Sequence, residues 1–336
     1  DGSTMKVPLI GVCSPYTRNI ETGEMQSIVW RDGNKEAHKA PYEPYVYVPD
    51  SETGKQYRIT GQQGSVLLRK EYYRAGEEIS GALVLDGGRE NIMERLLIEH
   101  PDYYYQFSNE KELKVLCFDI ETTSADGSFP FGPLHPITAI GVTTNSGDRE
   151  VFLWDGKDDR KVLTDFAKFV KWYDPDILTG YNCVGYDVPQ ILHRASHHGM
   201  TNYKKLLNRD GSDYGWQESK GDDNLRMKTG GRVIFDVLRH TRLDYALSGI
   251  PRGLKDVSRH FGMEPIELDF SGHDILDYSL SEIQEYVLSD VDCTMTLFEN
   301  YFERVKFTAE FVGVPLESLV NAPASFITKI LQGRAL

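Results

Sequence analysis

Residues 112–124 read ELKVLCFDIETTS, an apolar run that ends in two acids separated by one residue. Along a strand the side chains alternate faces, so Asp119 and Glu121 point one way while Phe118 and Ile120 point the other. Two carboxylates brought to one spot resist joint ionisation unless a cation lies between them, which makes the pair a candidate metal site. From these residues alone a polar strand end facing solvent is the equal alternative, because Asp-x-Glu is a short pattern.

The whole chain narrows the choice. Its 336 residues exceed one ordinary core and suggest two or three domains. A hydrophobic content of 40% and an aromatic content of 11% are those of a globular protein able to bury a core. The net charge of −14 argues against holding nucleic acid by bulk positive charge, so any such contact must be local or metal-mediated. Cys13, Cys117, Cys183 and Cys293 are widely spaced, which indicates neither a disulfide framework nor a structural zinc site and fits a reducing compartment. No apolar run approaches the ~20 residues that span a bilayer, and no signal-peptide pattern opens the chain. The expectation is a soluble intracellular protein, cytoplasmic, with no membrane partner. Met5 resembles a natural start, and Asp1–Thr4 are left out of the fold argument.

From residue 5 to about 105 the sequence predicts short strands at 7–13, 25–31, 45–49, 56–60 and 82–86, separated by Gly, Pro, Asp and Asn turns. A helix is expected over 89–99, with Ile92, Leu96 and Leu97 at helical spacing. Tyr42, Tyr45 and Tyr47 are suited either to stacking on bases or, more often, to cross-strand pairing.

After Leu113 strands alternate with helices, the mark of an α/β domain. Strands are predicted at 135–144 and 149–154, joined by an Asn145-Ser-Gly-Asp148 hairpin turn. A helix is predicted over 158–172 with Val162, Phe166, Phe169 and Val170 inward, then a strand at 177–180. In TGYNCVGYDVPQILHRA, Pro189 suits the first turn of a helix, which puts Asp187 at its start, where a capping role competes with a functional one. His193, His197 and His198 are read as helix-face or surface residues, without companions at zinc-ligand spacing. Residues 199–231 are expected to form a long polar surface insertion with positive charge from Arg226, Lys228 and Arg232. Asp236 is expected to cap a helix, and GLKDVSRHF (253–261) to form another. Ser279 and Glu282 form a capping box that starts a long helix to about Lys306. On it Tyr286 and Asp290 share a face and Asp292 points away.

Asp-x-Glu on a strand, Asn-x3-Tyr-Asp at a helix start and Tyr-x3-Asp on a late helix stand in a fixed order, and here the chain resembles the 3′–5′ proofreading exonuclease of family B DNA polymerases. Its three motifs look like FDIETT, YNCVGYD and YVLSD in this sequence. The resemblance implies a ribonuclease H-like α/β fold with a mixed sheet, preceded by a β-rich α+β domain. It makes Asp119, Glu121, Asp187 and Asp290 metal-binding carboxylates, Tyr286 the catalytic tyrosine, and Asn182 with the neighbouring Tyr186 contacts to the DNA strand. Four carboxylates are hard oxygen ligands that suit two divalent ions, Mg²⁺ or Mn²⁺, clamping the scissile phosphate. YEPYVYV resembles a strand of the same family, and Pro44 and Tyr45 fall where some archaeal members form a uracil pocket. The family's F-x-x-R-Y-L segment is missing, which counts against uracil sensing, and an abbreviated linker at 102–112 suggests a viral or otherwise divergent member, with prokaryotic or viral replication as the expected setting.

The expected domains are 5–110, 111–307 and 308–336, the last a helical entry into a polymerase palm. The polymerase aspartate motifs are absent from these residues, so the chain is expected to degrade 3′ ends without extending a primer. It would be a truncated enzyme or one piece of a split one, working with the missing polymerase portion, a primer-template and, by the resemblance, a sliding clamp. A C-terminal helix carrying Phe326, Ile327, Ile330 and Leu331 should expose apolar surface. The competing readings are a stand-alone exonuclease of the same superfamily acting on RNA or DNA, and a non-catalytic scaffold.

Overall fold

The computed structural model describes six strands between Thr17 and Tyr72, residues 113–320 apart from 125–127, 214, 217–226, 228, 270–273 and 313–315, and Leu331. In the first part β1 (Thr17–Asn19), β2 (Glu24–Arg31) and β3 (Asn34–Pro41) form one antiparallel sheet. β4 (Tyr45–Pro49), β5 (Lys55–Tyr57) and β6 (Val66–Tyr72) form a second, with β6 in the middle. The strands expected at 25–31 and 45–49 are present, and the one at 56–60 is reduced to Lys55–Tyr57. β3 and β6 were not anticipated, because NKEAHKAP and VLLRKEY carry charged residues that blur the apolar signal and become strands through pairing. The segments at 7–13, 82–86 and 89–99 lie outside the described residues, as do Tyr42 and Pro44.

The second part is built on a five-stranded mixed sheet of β7 (Val115–Thr122), β8 (Ile137–Thr144), β9 (Arg149–Leu153), β10 (Ile177–Gly180) and β11 (Val233–Asp236), in the order β11-β10-β7-β8-β9. β7 runs parallel to β10 and antiparallel to β8. It is therefore central, and its acid pair ends in the middle of the sheet edge from which the connections to the helices leave. Helices α1 (Arg160–Tyr173) and α2 (Asp187–His197) cover one face, packing Val162, Phe166, Val188 and Ile191 on Leu116, Phe118 and Ile120. After short α3 (Tyr203–Leu207), α4 (Val237–Leu243) and α5 (Leu254–His260) comes the 33-residue α6 (Leu280–Val312), followed by α7 (Leu316–Val320). On the other face Val291, Leu297, Phe298 and Phe302 of α6 meet Val115, Cys117, Val233 and Phe235. Each such large apolar side chain contributes about 1.5–3 kcal/mol when fully buried. Asp119 and Glu121 continue the row of Val115 and Cys117, so they lie under α6.

Close approach of α6 depends on Gly141, which faces Asp119 across the β7–β8 pair. A Cβ there would lie 2.2 Å from Cγ1 of Val287, so only glycine lets the helix descend far enough to bring its polar face to the acid pair. The start of α6 is the expected capping box: Ser279 N donates to Glu282 Oε2 at 2.8 Å and Glu282 N to Ser279 Oγ at 3.3 Å. Its end differs from expectation. No Gly or Pro interrupts residues 280–312, and the helix runs past its expected end at about Lys306 to Val312.

The expected surface insertion at 199–231 is also corrected. Tyr203, Leu207, Trp216 and Met227 are buried in the main core, and Arg232 is 2% exposed, its guanidinium bound to Asp174 and the carbonyls of Pro175 and Leu207. Isolated apolar residues among Gly, Asn and Asp leave no periodic trace, although they anchor the segment. Arg226 and Lys228 lie outside the described residues. His193 and His197 are exposed, whereas His198 is held by the buried Asp159.

Candidate active site

Carboxylate oxygens of Asp119, Glu121 and Asp290 lie within 4.8 Å of one another, two from the end of β7 and one from α6. Alternation along β7 supplies the first two, and the four-residue step from Tyr286 supplies the third. Asp187 stands outside this group of three. It is the first residue of α2, with Tyr186 in the capping position, and its Oδ1 accepts from Ile120 N at 3.2 Å. Its helix lies on the opposite face from α6, so it reaches the acid pair around the strand end. The capping expectation for Asp187 is therefore replaced by a bond to β7 that ties the two motifs together.

The charges are strained. Burial, followed by the charges of Asp187, Glu121 and Asp290, pushes Asp119 well above the usual carboxylate range. Burial and Asp290 push Glu121 up to about 8, and burial with Asp236 pushes Asp187 up to about 8. Asp290 is also raised by burial, against the pull of Lys255. Such a set of hard oxygen donors, crowded and unbalanced in charge, fits a divalent cation. Tyr286 donates its hydroxyl to Asp290, and burial with the surrounding carboxylates drives its ionisation far out of reach.

Lys255 is the residue that sequence reading missed. From α5 its Nζ bonds Oδ1 of Asp290 and stands 4.3 Å from the centre of the Tyr286 ring. GLKDVSRHF announced a helix, and nothing in its spacing shows that one lysine enters an acid cluster contributed by elements elsewhere in the chain. Asp292, as expected, faces away and pairs with Arg149.

Asn182 has φ of 66°, an uncommon conformation for a non-glycine residue, in the turn before α2. Asp236 holds that turn by accepting from Asn182 N and Val184 N at 3.0 Å each, while also capping α4 through Leu238 N at 3.0 Å. Its expected cap is thus joined by a second task next to the site. The Tyr186 hydroxyl is 2.7 Å from Thr122 Oγ1 and donates to the Pro130 carbonyl at 2.8 Å. Tyr45 opens β4 opposite Tyr72, within the first part of the chain. Cys117, Cys183 and Cys293 are free thiols, and no helix among the described residues is long and apolar enough to cross a membrane.

Residues 92–257 match the family model described as DNA polymerase family B, exonuclease domain. The chain is 30% identical over 253 residues to the DNA polymerase delta catalytic subunit of Drosophila melanogaster, covering 64% of this chain and 22% of that protein. It is 34% identical over 179 residues to a DNA polymerase of Archaeoglobus fulgidus, covering 53% of this chain and 21% of that protein. The chain thus spans about a fifth of the length of these two curated relatives. A solved structure of the family B DNA polymerase from Pyrobaculum calidifontis superposes with a TM-score of 0.71 at 20% identity, over 96% of this chain and 50% of that one, a likeness of fold. Residues 92–257 thus match the exonuclease domain of the family B DNA polymerases, on a mixed sheet with flanking helices in which the three motifs stand in order.

Proposed function

We propose that the chain hydrolyses the terminal phosphodiester at the 3′ end of single-stranded DNA and serves as the proofreading portion of a longer family B polymerase. The observation that carries this reading is the convergence of Asp119, Glu121 and Asp290 from β7 and α6 into one buried, charge-unbalanced group. We assign residues 5–110 to an N-terminal domain, 111–307 to the exonuclease and 308–336 to the entry into the polymerase part. Asp119, Glu121, Asp187 and Asp290 would hold two divalent ions, Mg²⁺ or Mn²⁺. When bound, such a pair supplies an activated water and neutralises charge on the phosphate and on the leaving 3′ oxygen.

The chain's own groups do the rest. Tyr286 keeps its proton and, held in place by α6, would turn its hydroxyl from Asp290 to the water or phosphate once that carboxylate is engaged by a cation. Lys255 places a positive charge beside Asp290, which limits repulsion toward an incoming phosphate. Asn182, in the turn before α2, and Tyr186, next to Asp187, meet the strand that leads to the reacting end. Local cation charge also reconciles a net charge of −14 with a polyanionic substrate.

Degradation of 3′-labelled against 5′-labelled single strands, with Mg²⁺ or Mn²⁺ and with chelator, tests the reading. Release of labelled mononucleotide from the 3′ label at once, with metal only, is expected. Cleavage that starts at the 5′ end, or that persists in chelator, would overturn it.

A further inference from the structure

Gln190 has no solvent exposure, and its amide is spent on one loop: it accepts from Gly132 N at 2.6 Å and donates to the carbonyls of Gly132 at 3.1 Å and His135 at 2.6 Å. One turn further along α2, Arg194 bonds the Pro133 carbonyl through Nη1 and Asp159 through Nε and Nη2, both at 2.7 Å. Asp159 in turn accepts from Ile137 N at 2.8 Å, where the loop enters β8. One turn earlier, Tyr186 holds the Pro130 carbonyl. Residues 186, 190 and 194 form one stripe of α2, and that stripe grips the loop backbone at four carbonyls between 130 and 135.

Two features give this grip a purpose beyond filling the core. The loop carries Phe129 at 74% exposure, Phe131 at 38% and Leu134 at 78%, an apolar surface concentrated in one short connection. The rings of Phe129 and Phe131 lie 5.6 and 5.8 Å from that of Tyr186, whose hydroxyl meets Thr122, the residue after Glu121. Unpaired bases stack on exposed aromatic rings, so this rim suits the bases of a strand whose terminal phosphate sits at the acids. The same helix begins with Asp187, so one rigid element sets the loop and a site carboxylate in register. A buried amide that bonds only backbone imposes one loop conformation, which an apolar side chain at that place could not do.

Resting on the exonuclease reading, we propose that Gln190, with the buried Arg194–Asp159 pair, is a positioning residue for the strand. By fixing the loop around Gly132 it sets the grip on the bases behind the scissile bond, without touching reacting atoms.

The test compares the full chain with Gln190→Met, which keeps the volume and removes all three bonds, on two substrates with Mn²⁺. A single-stranded oligonucleotide reaches the loop; the p-nitrophenyl ester of thymidine 5′-monophosphate occupies only the reacting end. We expect KM for the oligonucleotide to rise about tenfold, with turnover of the small ester changed by less than about twofold. Phe129→Ser alters only an exposed ring and should reproduce the rise in KM, which guards against a folding defect in the first variant. Parallel loss on both substrates, or no change in oligonucleotide KM for either variant, would overturn the proposal while the wild type still cleaves. A wild-type chain that cleaves neither substrate would instead remove the exonuclease reading, and the proposal with it.

Discussion

The domain buries two groups of acids and treats them in opposite ways. Asp159, fully buried between α1 and α2, is surrounded by donors. Burial alone would push it up, but hydrogen bonds from Arg194, His198 and Ile137 N bring it down to about 2. Among the described residues, Asp119, Glu121, Asp187 and Asp290 have only Lys255 as a cation within bonding distance, and all four are raised. A structural acid is compensated within the fold, because an unpaired buried charge costs several kcal/mol. A cluster left uncompensated signals that charge from outside completes it.

The strongest way to break this contrast is Asp119→Ala combined with Glu121→Ala. Exonuclease rate should fall about a thousandfold or more, several kcal/mol of transition-state stabilisation, while the metal-free melting temperature stays or rises as repulsion is relieved. Activity within about tenfold of wild type would sink the assignment. Asp159→Ala should do the reverse, leaving Arg194 buried and unpaired and lowering stability by about 3–5 kcal/mol in chemical denaturation. Equal stability in the two variants would erase the distinction between the clusters.

Tyr286→Phe should cost less, because one hydrogen bond to a charged group is worth about 1.5–3 kcal/mol, or about ten- to a hundredfold in kcat. Asp290→Ala should exceed it clearly. The pH dependence of metal-free stability sharpens the comparison further. Glu121 and Asp187 have folded values near 8 against unfolded values near 4, so their contribution is present below about pH 4 and is lost as pH rises toward about 8. Melting temperature in chelator should fall across that window, and Glu121→Gln should flatten the fall. Asp159 contributes above about pH 4 and loses its contribution as pH drops through about 2. The smallest effect belongs to Asp292→Ala, which removes a half-exposed pair with Arg149 and should cost at most about 1 kcal/mol with unchanged cleavage.

Sequence and structure divide along the range of the interactions involved. Asp119 with Glu121, and Tyr286 with Asp290, are pairs set by strand and helix periodicity, so their shared faces were legible from residues two and four apart. The capping box at Ser279, the hairpin at 145–148 and the outward turn of Asp292 followed from equally local rules. Polar stretches defeated that reading: β3, β6 and the buried anchors Tyr203, Trp216 and Met227 owe their places to partners rather than to a pattern. Only the tertiary structure decided that Asp187 stands apart and bonds Ile120 from 67 residues away, that Lys255 reaches Asp290 across 35, and that Gln190 grips a loop 58 residues upstream. It also decided that Gly141 must lack a side chain for α6 to settle on the sheet. Periodicity is a property of neighbours along the chain, whereas packing distance and charge balance exist only once separate elements have been brought together.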